Sequence, residues 1–331
     1  MGLTVQQLTI TMNSLLQHTL APSTTRQYHN SFQHYQTFCR QRNLTILPIS
    51  EFTLMLFTTY LATFSSYHNI KLHIAAIKHF ATLSNTQIAH PPLPRLYLLI
   101  RAIKRKHGKQ YSKPKRVPIT STSLRIIYNH LQNCALPAHD KFMIWAAATT
   151  AFFAFLRSSE FVSNTTKSYN SDTTLLISDI MITHQGAILQ IKSSKTDPFR
   201  QGCHIKLHKI NSPICPVQAL EQYLAHHPFT VGPLFTYTDG SFLTRRRLNK
   251  FLQTAIPSSK KAPVSSHSFR IGAATTAAAA GLPRWMIQKL GRWNSDCFRT
   301  YIQLSDITIL DAQRTIATNT RTGTAWNPDE C

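Results

Sequence analysis

Apolar residues recur at three- and four-residue intervals through the first hundred positions, and this spacing predicts helices. Tyr28, Phe32, Tyr35 and Phe38 share one face of a helix that Ser23 can cap and that runs to about Arg42. An apolar helix follows Pro48 over 51–63. Another over 69–83 places Ile70, Ile74, Ile77 and Phe80 on one face, and a fourth, after the proline-rich break at 91–94, carries Leu96 to Ile103. The aromatic stripe reads as the core of a small helical domain rather than as a base-stacking platform. The second half is mixed. Helices are predicted at 121–133 and 140–155, and strands at 174–182, 187–191 and 203–207, with turns at Gln185-Gly186 and 197–202. Helices return at 216–225, 244–255, 269–279, 283–290 and 297–304. The expected fold class is mainly α with a small antiparallel β-sheet inserted among helices.

Composition adds a partner to this picture. The chain has 331 residues, 43% of them apolar, enough for one large domain or two ordinary ones. It carries 36 Lys and Arg against 13 Asp and Glu, a formal charge of +23. Self-repulsion on that scale weakens a compact fold, so a polyanionic partner is the natural explanation. Residues 1–118 hold 14 basic residues and a single acid, Glu51, as expected for a surface that neutralises a phosphate backbone. A membrane surface is the rival polyanion. The longest apolar stretch, Phe142 to Leu156, falls short of the roughly 20 residues a span requires and reads as a buried helix. The N-terminus lacks the pattern of a signal peptide, and Gln6 stands where myristoylation favours Ser or Thr. The expectation is a soluble intracellular protein with no membrane partner and no small-molecule substrate. Its six cysteines include no C-x-x-C pair and should be reduced. Cys203, His204, His208 and Cys215 lack finger-like zinc spacing, so no metal is expected there.

The densest basic run is Arg101, Lys104, Arg105, Lys106, Lys109, Lys113, Lys115 and Arg116. Pro114 and Pro118 punctuate it as in a linker, and the absence of intervening acids favours a strap along DNA or a nuclear-localisation patch over a solvated loop. Arg245, Arg246 and Arg247 at a helix start are further candidates for phosphate contact.

Four segments carry candidate chemistry. Arg157 follows a buried helix, with Glu160 three residues on; Lys195 sits at a strand end beside a turn. His267 and Arg270 lie three apart at a helix start, where they share a face. Gly291-Arg292-Trp293 precedes Tyr301. Each motif alone is weak, since an arginine after an apolar helix is ordinarily a surface cap and a tyrosine in an amphipathic stretch is ordinarily core. Their joint order on a strongly basic chain is specific. Two guanidiniums bind phosphate oxygens bidentately and offset charge developing on them. A lysine at a hairpin tip can protonate a leaving oxygen, and a tyrosine can attack once it loses its proton.

In this order and spacing, Phe155 to Glu160, Ser194 to Asp197, His267 to Arg270 and Leu290 to Tyr301 resemble the tyrosine recombinase (phage integrase) family, and 267–301 resembles eukaryotic transposon recombinases of the DIRS type or the Cryptons. The likeness covers most of the chain. It implies a SAM-like helical core-binding domain at 1–100, a basic linker at 101–118, and a catalytic domain at 119–331 with a C-terminal tail at 305–331. The two domains are expected to clamp duplex DNA, in a tetramer of this chain on two DNA sites. The resemblance makes Arg157 and Arg270 the catalytic arginines, Lys195 the hairpin lysine, His267 the partner of Arg270, Glu160 the acidic companion of Arg157, and Tyr301 the nucleophile. The implied activity is DNA recombination and integration through a 3′-phosphotyrosyl intermediate, without cofactor, metal or ATP, in the nucleus of a eukaryote and in the service of a transposable element. The alternatives are a type IB topoisomerase-like activity and a domesticated DNA-binding protein that does not cut. The sequence departs from the family once. The His or Trp commonly found nine residues before the tyrosine is here Arg292, while Trp293 stands eight before it; the indole N–H of Trp293 favours it for that role, with Arg292 the alternative. The tail either docks onto a neighbouring protomer or is disordered.

Overall fold

The computed structural model describes residues 2–84, 93–108, 114–194, 197, 199–259, 262–303, 309–310 and 313–314. The chain divides into two compact units, Met1–Lys113 and Pro114–Cys331.

Among the described residues five helices build the first unit: α1 (Val5–Gln17), α2 (Pro22–Arg40), α3 (Glu51–Ala62), α4 (Tyr67–Leu83) and α5 (Pro94–His107). α2 starts at Pro22 and not after a Ser23 cap, because the fixed φ of proline suits the first helical position; Ala21 precedes it without a side-chain cap. Ser50 and Ser66 cap α3 and α4 by accepting from the amides of Thr53 and Asn69. Tyr35, Phe38, Phe57, Leu61, Ile70 and Ile77 are buried together, so the aromatic stripe is core. α1 was not among the helices foreseen individually. A Thr4–Gln7 capping box starts it, and none of its residues is buried.

The basic run does not begin as a linker. Leu96, Leu99, Ile100 and Ile103 pack inward at helical spacing and carry α5 on to His107, beneath the charges. Arg101, Lys104, Arg105 and Lys106 project outward from this helix and are exposed. Gly108, at φ +50°, ends it. Glu51, the single acid of residues 1–118, is structural: its Oε1 accepts from the Leu96 amide at 3.0 Å, one of the donors left open at the start of α5.

The second unit holds α6 (Ser121–Asn133), α7 (Ala138–Phe153), α8 (Ser158–Phe161), β1 (Ile180–Thr183), β2 (Gly186–Ile191), β3 (Cys203–His208), α9 (Pro216–Ala225), α10 (Arg245–Ala255), α11 (Ser268–Ala279) and α12 (Arg284–Gly291). The strands form one antiparallel sheet in the order β1-β2-β3, with Ile180 opposite Leu189 and Ile191 opposite Cys203. The fold is therefore mainly helical with a small antiparallel sheet, as the periodicity predicts. α7 is buried from Met143 to Phe152 and forms the centre of the core. Two predicted elements are shorter. Ile177–Asp179 is a 3-10 turn rather than strand, because Asp179 folds back to accept from the Leu176 amide at 2.7 Å. The helix expected from Cys297 is a 3-10 turn over Asp296–Thr300, capped by Ser295. Among the described residues no helix is long and apolar enough to cross a membrane.

One close approach fixes how α11 sits. A Cβ on Gly272 would lie 1.8 Å from the carbonyl oxygen of Ile119, while Ile119 also donates its amide to Ser268. Backbone cannot yield as a side-chain tip can. Gly272→Ala is expected to cost about 3 kcal/mol of stability, read as a lower urea midpoint at unchanged slope.

Candidate active site

α7 ends at Phe153, and Phe155 turns the chain through a left-handed residue at φ +50°. Arg157 then stands extended at the start of α8. Glu160 reaches back, its Oε2 accepting from the Arg157 amide and its Oε1 from Arg157 Nη1, both at 2.9 Å. The same Nη1 donates to Ser194 Oγ at 2.9 Å, which ties the arginine to the segment after β2. Arg292, itself left-handed at the end of α12, completes the cluster: Nη2 meets Glu160 Oε2 at 2.7 Å and Nη1 meets the Ala154 carbonyl at 2.9 Å. The Glu160 side chain is 1% exposed and lies between two guanidiniums that are 15% and 17% exposed. A single buried carboxylate thus orients two arginines whose combined charge exceeds its own.

Arg270 lies in the first turn of α11 and is 1% exposed. Its two Nη atoms donate to the carbonyls of Phe155 and Gly291, its Nε has no partner, and its guanidinium sits 4.2 Å from the centroid of the Trp293 ring. Burial, reinforced by the charge of Arg157, lowers its pKa to about 9. The Trp293 ring packs against Phe155, Phe298 and Tyr301, and reaches this place because position 291 has no Cβ: one there would be 1.7 Å from the indole. The Tyr301 ring lies 5.4 Å from His267 and 5.5 Å from Trp293, and Thr275 Oγ1 donates to its carbonyl at 3.2 Å.

The structure thus brings Arg157, Glu160, His267, Arg270, Arg292, Trp293 and Tyr301 into one cluster, drawn from three separate stretches of chain. Lys195 lies outside the described residues, as do Lys109, Lys113 and all of the tail but 309–310 and 313–314. Arg292 is tied to Glu160, while Trp293 packs between Arg270 and Tyr301, so the two candidates for one role stand on different sides of the cluster. Sequence reasoning passed over Ser158, Ser194, Ser266 and Asn249. Ser158, Ser194 and Ser266 adjoin Arg157, Lys195 and His267, and that adjacency was the available signal; Asn249 gave none locally.

His267 is surrounded by positive charge. Burial lowers its pKa to about 4, with Arg116, Arg270, Arg157 and Arg245 adding to the shift, so the imidazole is neutral at neutral pH. The unfolded chain takes up a proton near pH 6.5 that the folded chain refuses until about 4. Stability is therefore full above pH 6.5 and falls as pH drops from 6.5 towards 4. His227, lowered to about 4 by burial and by His139, adds a slope of its own. The difference between wild type and His267→Gln isolates the first: the stability gap is expected to change across pH 6.5 to 4 and to be flat above, as measured by urea unfolding.

The remaining basic candidates differ in surroundings. Lys115, Arg116, Arg245 and Arg246 are exposed. Arg245 and Arg246 line an open groove with Thr165, Asn249, Lys250 and Gln253. Arg247 turns away from them, its guanidinium 3.7 Å from the Tyr237 ring centroid and paired with Ser241 and Asp239. On β3, His204 and His208 are exposed, whereas Cys203 is half-buried. Among the described residues no three His, Cys, Asp or Glu side chains converge to hold a metal ion.

No family model and no curated protein matches the chain. Solved structures do. The Tn1549 transposon integrase in complex with transposon right-end DNA aligns at TM-score 0.53 and 13% identity, over 89% of this chain and 99% of that one. The XerH site-specific recombinase bound to palindromic difH substrate, a post-cleavage complex, aligns at TM-score 0.52 and 14% identity, over 87% and 77%. A lambda integrase dimer bound to a COC′ core site aligns at 0.51 and 15%, over 91% and 77%. At such identities the likeness is one of fold, and that fold is the tyrosine recombinase catalytic domain with its mainly helical frame and three-stranded sheet.

Proposed function

We propose that the chain is a DNA strand transferase that recombines or integrates DNA through a covalent phosphotyrosine. The observation that carries this reading is the convergence of Tyr301 with His267, Trp293 and Arg270, beside the Arg157–Glu160–Arg292 cluster, on a chain of net charge +23. DNA-bound proteins of the same fold support duplex DNA as the partner.

In this reading the Tyr301 oxygen attacks the scissile phosphorus. A tyrosyl O–P bond forms and the bond to the 5′ oxygen breaks, leaving a 3′-phosphotyrosyl end and a free 5′ hydroxyl. Tyrosine has a pKa near 10, so its proton must leave during attack. Neutral His267 accepts it. Lys195, by its place in the sequence pattern, returns a proton to the departing 5′ oxygen. Arg157 and Arg270 hold the non-bridging oxygens; Arg270 brings a charge that burial leaves poorly screened and an Nε–H with no protein partner. Trp293 supports the ring of Tyr301 and lies over Arg270, while Arg292 stays on Glu160. A 5′ hydroxyl from a second duplex then reverses the step, so the bond energy is conserved. Two such sites joined by four copies of this chain, in a eukaryotic nucleus reached through the basic run at Arg101 to Arg116 and in a transposable element, complete the proposal. It places a core-binding domain in residues 1–100 and catalysis in residues 119–331.

Nicked duplexes test it, because the short fragment 3′ of the cut diffuses away and traps the intermediate. A pool of random and element-end sequences offered to the wild-type protein is expected to yield an adduct that survives denaturation. Tight DNA binding with no adduct across the pool would overturn the reading in favour of a DNA-binding protein that does not cut. Relaxation of supercoiled DNA of any sequence, with no strand exchange, would favour a topoisomerase.

A further inference from the structure

Two hydrogen bonds, one buried and one part-buried, link the two arms of the candidate site to α10. Ser158 directly follows Arg157, and Ser266 directly precedes His267. Their hydroxyls meet at 2.8 Å, with Ser158 8% and Ser266 1% exposed. The Ser266 amide donates to Asn249 Oδ1 at 2.7 Å. On the far side, Ser268 Oγ accepts from the Ser265 amide at 3.1 Å, closing the turn that presents His267. Asn249 stands one helical turn after Arg245 on α10 and lines the same open groove as Arg245 and Arg246. The bond from the Ser266 amide to Asn249 places α10 beside the turn that carries His267.

We infer that Asn249 is a positioning residue: its side-chain oxygen holds the Ser266 amide and so fixes the place of His267, and through the Ser158–Ser266 pair that of Arg157, relative to the groove face of α10. The inference rests on the proposed DNA strand transfer.

Geometry favours this reading over a simple packing role. The Ser266 amide is a buried donor at a turn, outside any helix or strand ladder, and Asn249 is its acceptor. An acceptor 17 residues away on another helix constrains the turn more tightly than a local one. An acceptor oxygen is all that this bond requires, so Asp serves it and Ala does not. Asp also adds a negative charge to a groove lined by Arg245, Arg246 and Lys250, which weakens DNA binding by a separate route. The two substitutions therefore separate binding from positioning.

Single-turnover adduct formation on the nicked duplex, at saturating DNA, reads the positioning directly. Asn249→Ala is expected to slow it roughly 10- to 100-fold, as small misplacements of catalytic groups do, with DNA affinity little changed. Asn249→Asp is expected to restore most of the rate while binding DNA more weakly. A wild-type rate in Asn249→Ala, or an Asp variant as slow as the Ala variant at saturation, would overturn the inference. Amide exchange of Ser266 in the DNA-free full chain decides the matter even if wild type forms no adduct, an outcome that would sink the proposed function instead. Loss of Ser266 protection in Asn249→Ala but not in Asn249→Asp supports the tie; unchanged protection in both refutes it.

Discussion

Tyr301→Phe is expected to abolish covalent DNA capture and leave DNA affinity within about twofold of wild type. The substitution removes one oxygen and keeps the ring. The contacts of that ring with His267 and Trp293, at 5.4 and 5.5 Å, are therefore retained, and the cluster has no reason to repack. A positioned tyrosine hydroxyl has no substitute when it is the atom that forms the bond; general acid–base assistance, worth typically 10²–10⁴-fold, cannot replace it. The expected ratio of adduct yields is thus limited by detection. The pairing of results matters, since loss of binding together with adduct would point to a structural role for Tyr301. Gel-shift affinity and adduct yield measured on the same preparation read both.

The second large effect is expected at Glu160. Its carboxylate is 1% exposed and accepts from the Arg157 amide, Arg157 Nη1 and Arg292 Nη2. Contrast the Lys209–Glu221 pair, equally short at 2.9 Å but 44% and 35% exposed, where solvent leaves at most about 1 kcal/mol. Removing a buried partner strands the charges that remain, a penalty of roughly 3–5 kcal/mol. The two arginines retain some solvent contact, so Glu160→Ala should cost about 3 kcal/mol, near the lower end of that range. Glu160→Gln keeps the shape but turns an amide donor towards an arginine donor, and should fall between. Both variants should slow adduct formation about 10²-fold, because Arg157 loses the group that orients it. Equal urea midpoints for wild type and Glu160→Gln, with unchanged rate, would show that the carboxylate does not organise the cluster.

Much of this was legible in the sequence where one physical signal dominates. The apolar run at 142–156 reads as a buried helix, and α7 is one. Strand-like segments on either side of Gln185-Gly186 predicted the hairpin of β1 and β2. The stripe of Tyr35 and Phe38 reads as core and is core. Legibility failed where short-range and long-range signals compete. Charge at Arg101 to Lys106 suggested a linker, but four apolar residues beneath it keep α5 helical. A helix over 297–304 satisfied local spacing, yet among the described residues a 3-10 turn forms at 296–300 beside the packed Trp293 and Phe298. In the site, residue types in order named Arg157, His267, Arg270 and Tyr301. Their bonding could not be read in the same way, because the Ser158–Ser266 contact spans 108 residues and the Arg292–Glu160 pair spans 132. No local pattern encodes such distances. α1 escaped individual notice for the opposite reason, since none of its apolar residues is buried.

The most direct test of the central claim is to digest the trapped adduct with protease and nuclease and sequence the peptide that carries the nucleotide by mass spectrometry. The account predicts one modified peptide, with a 3′-linked phosphate on the oxygen of Tyr301. A phosphate on any other residue, or a 5′ linkage, would contradict it.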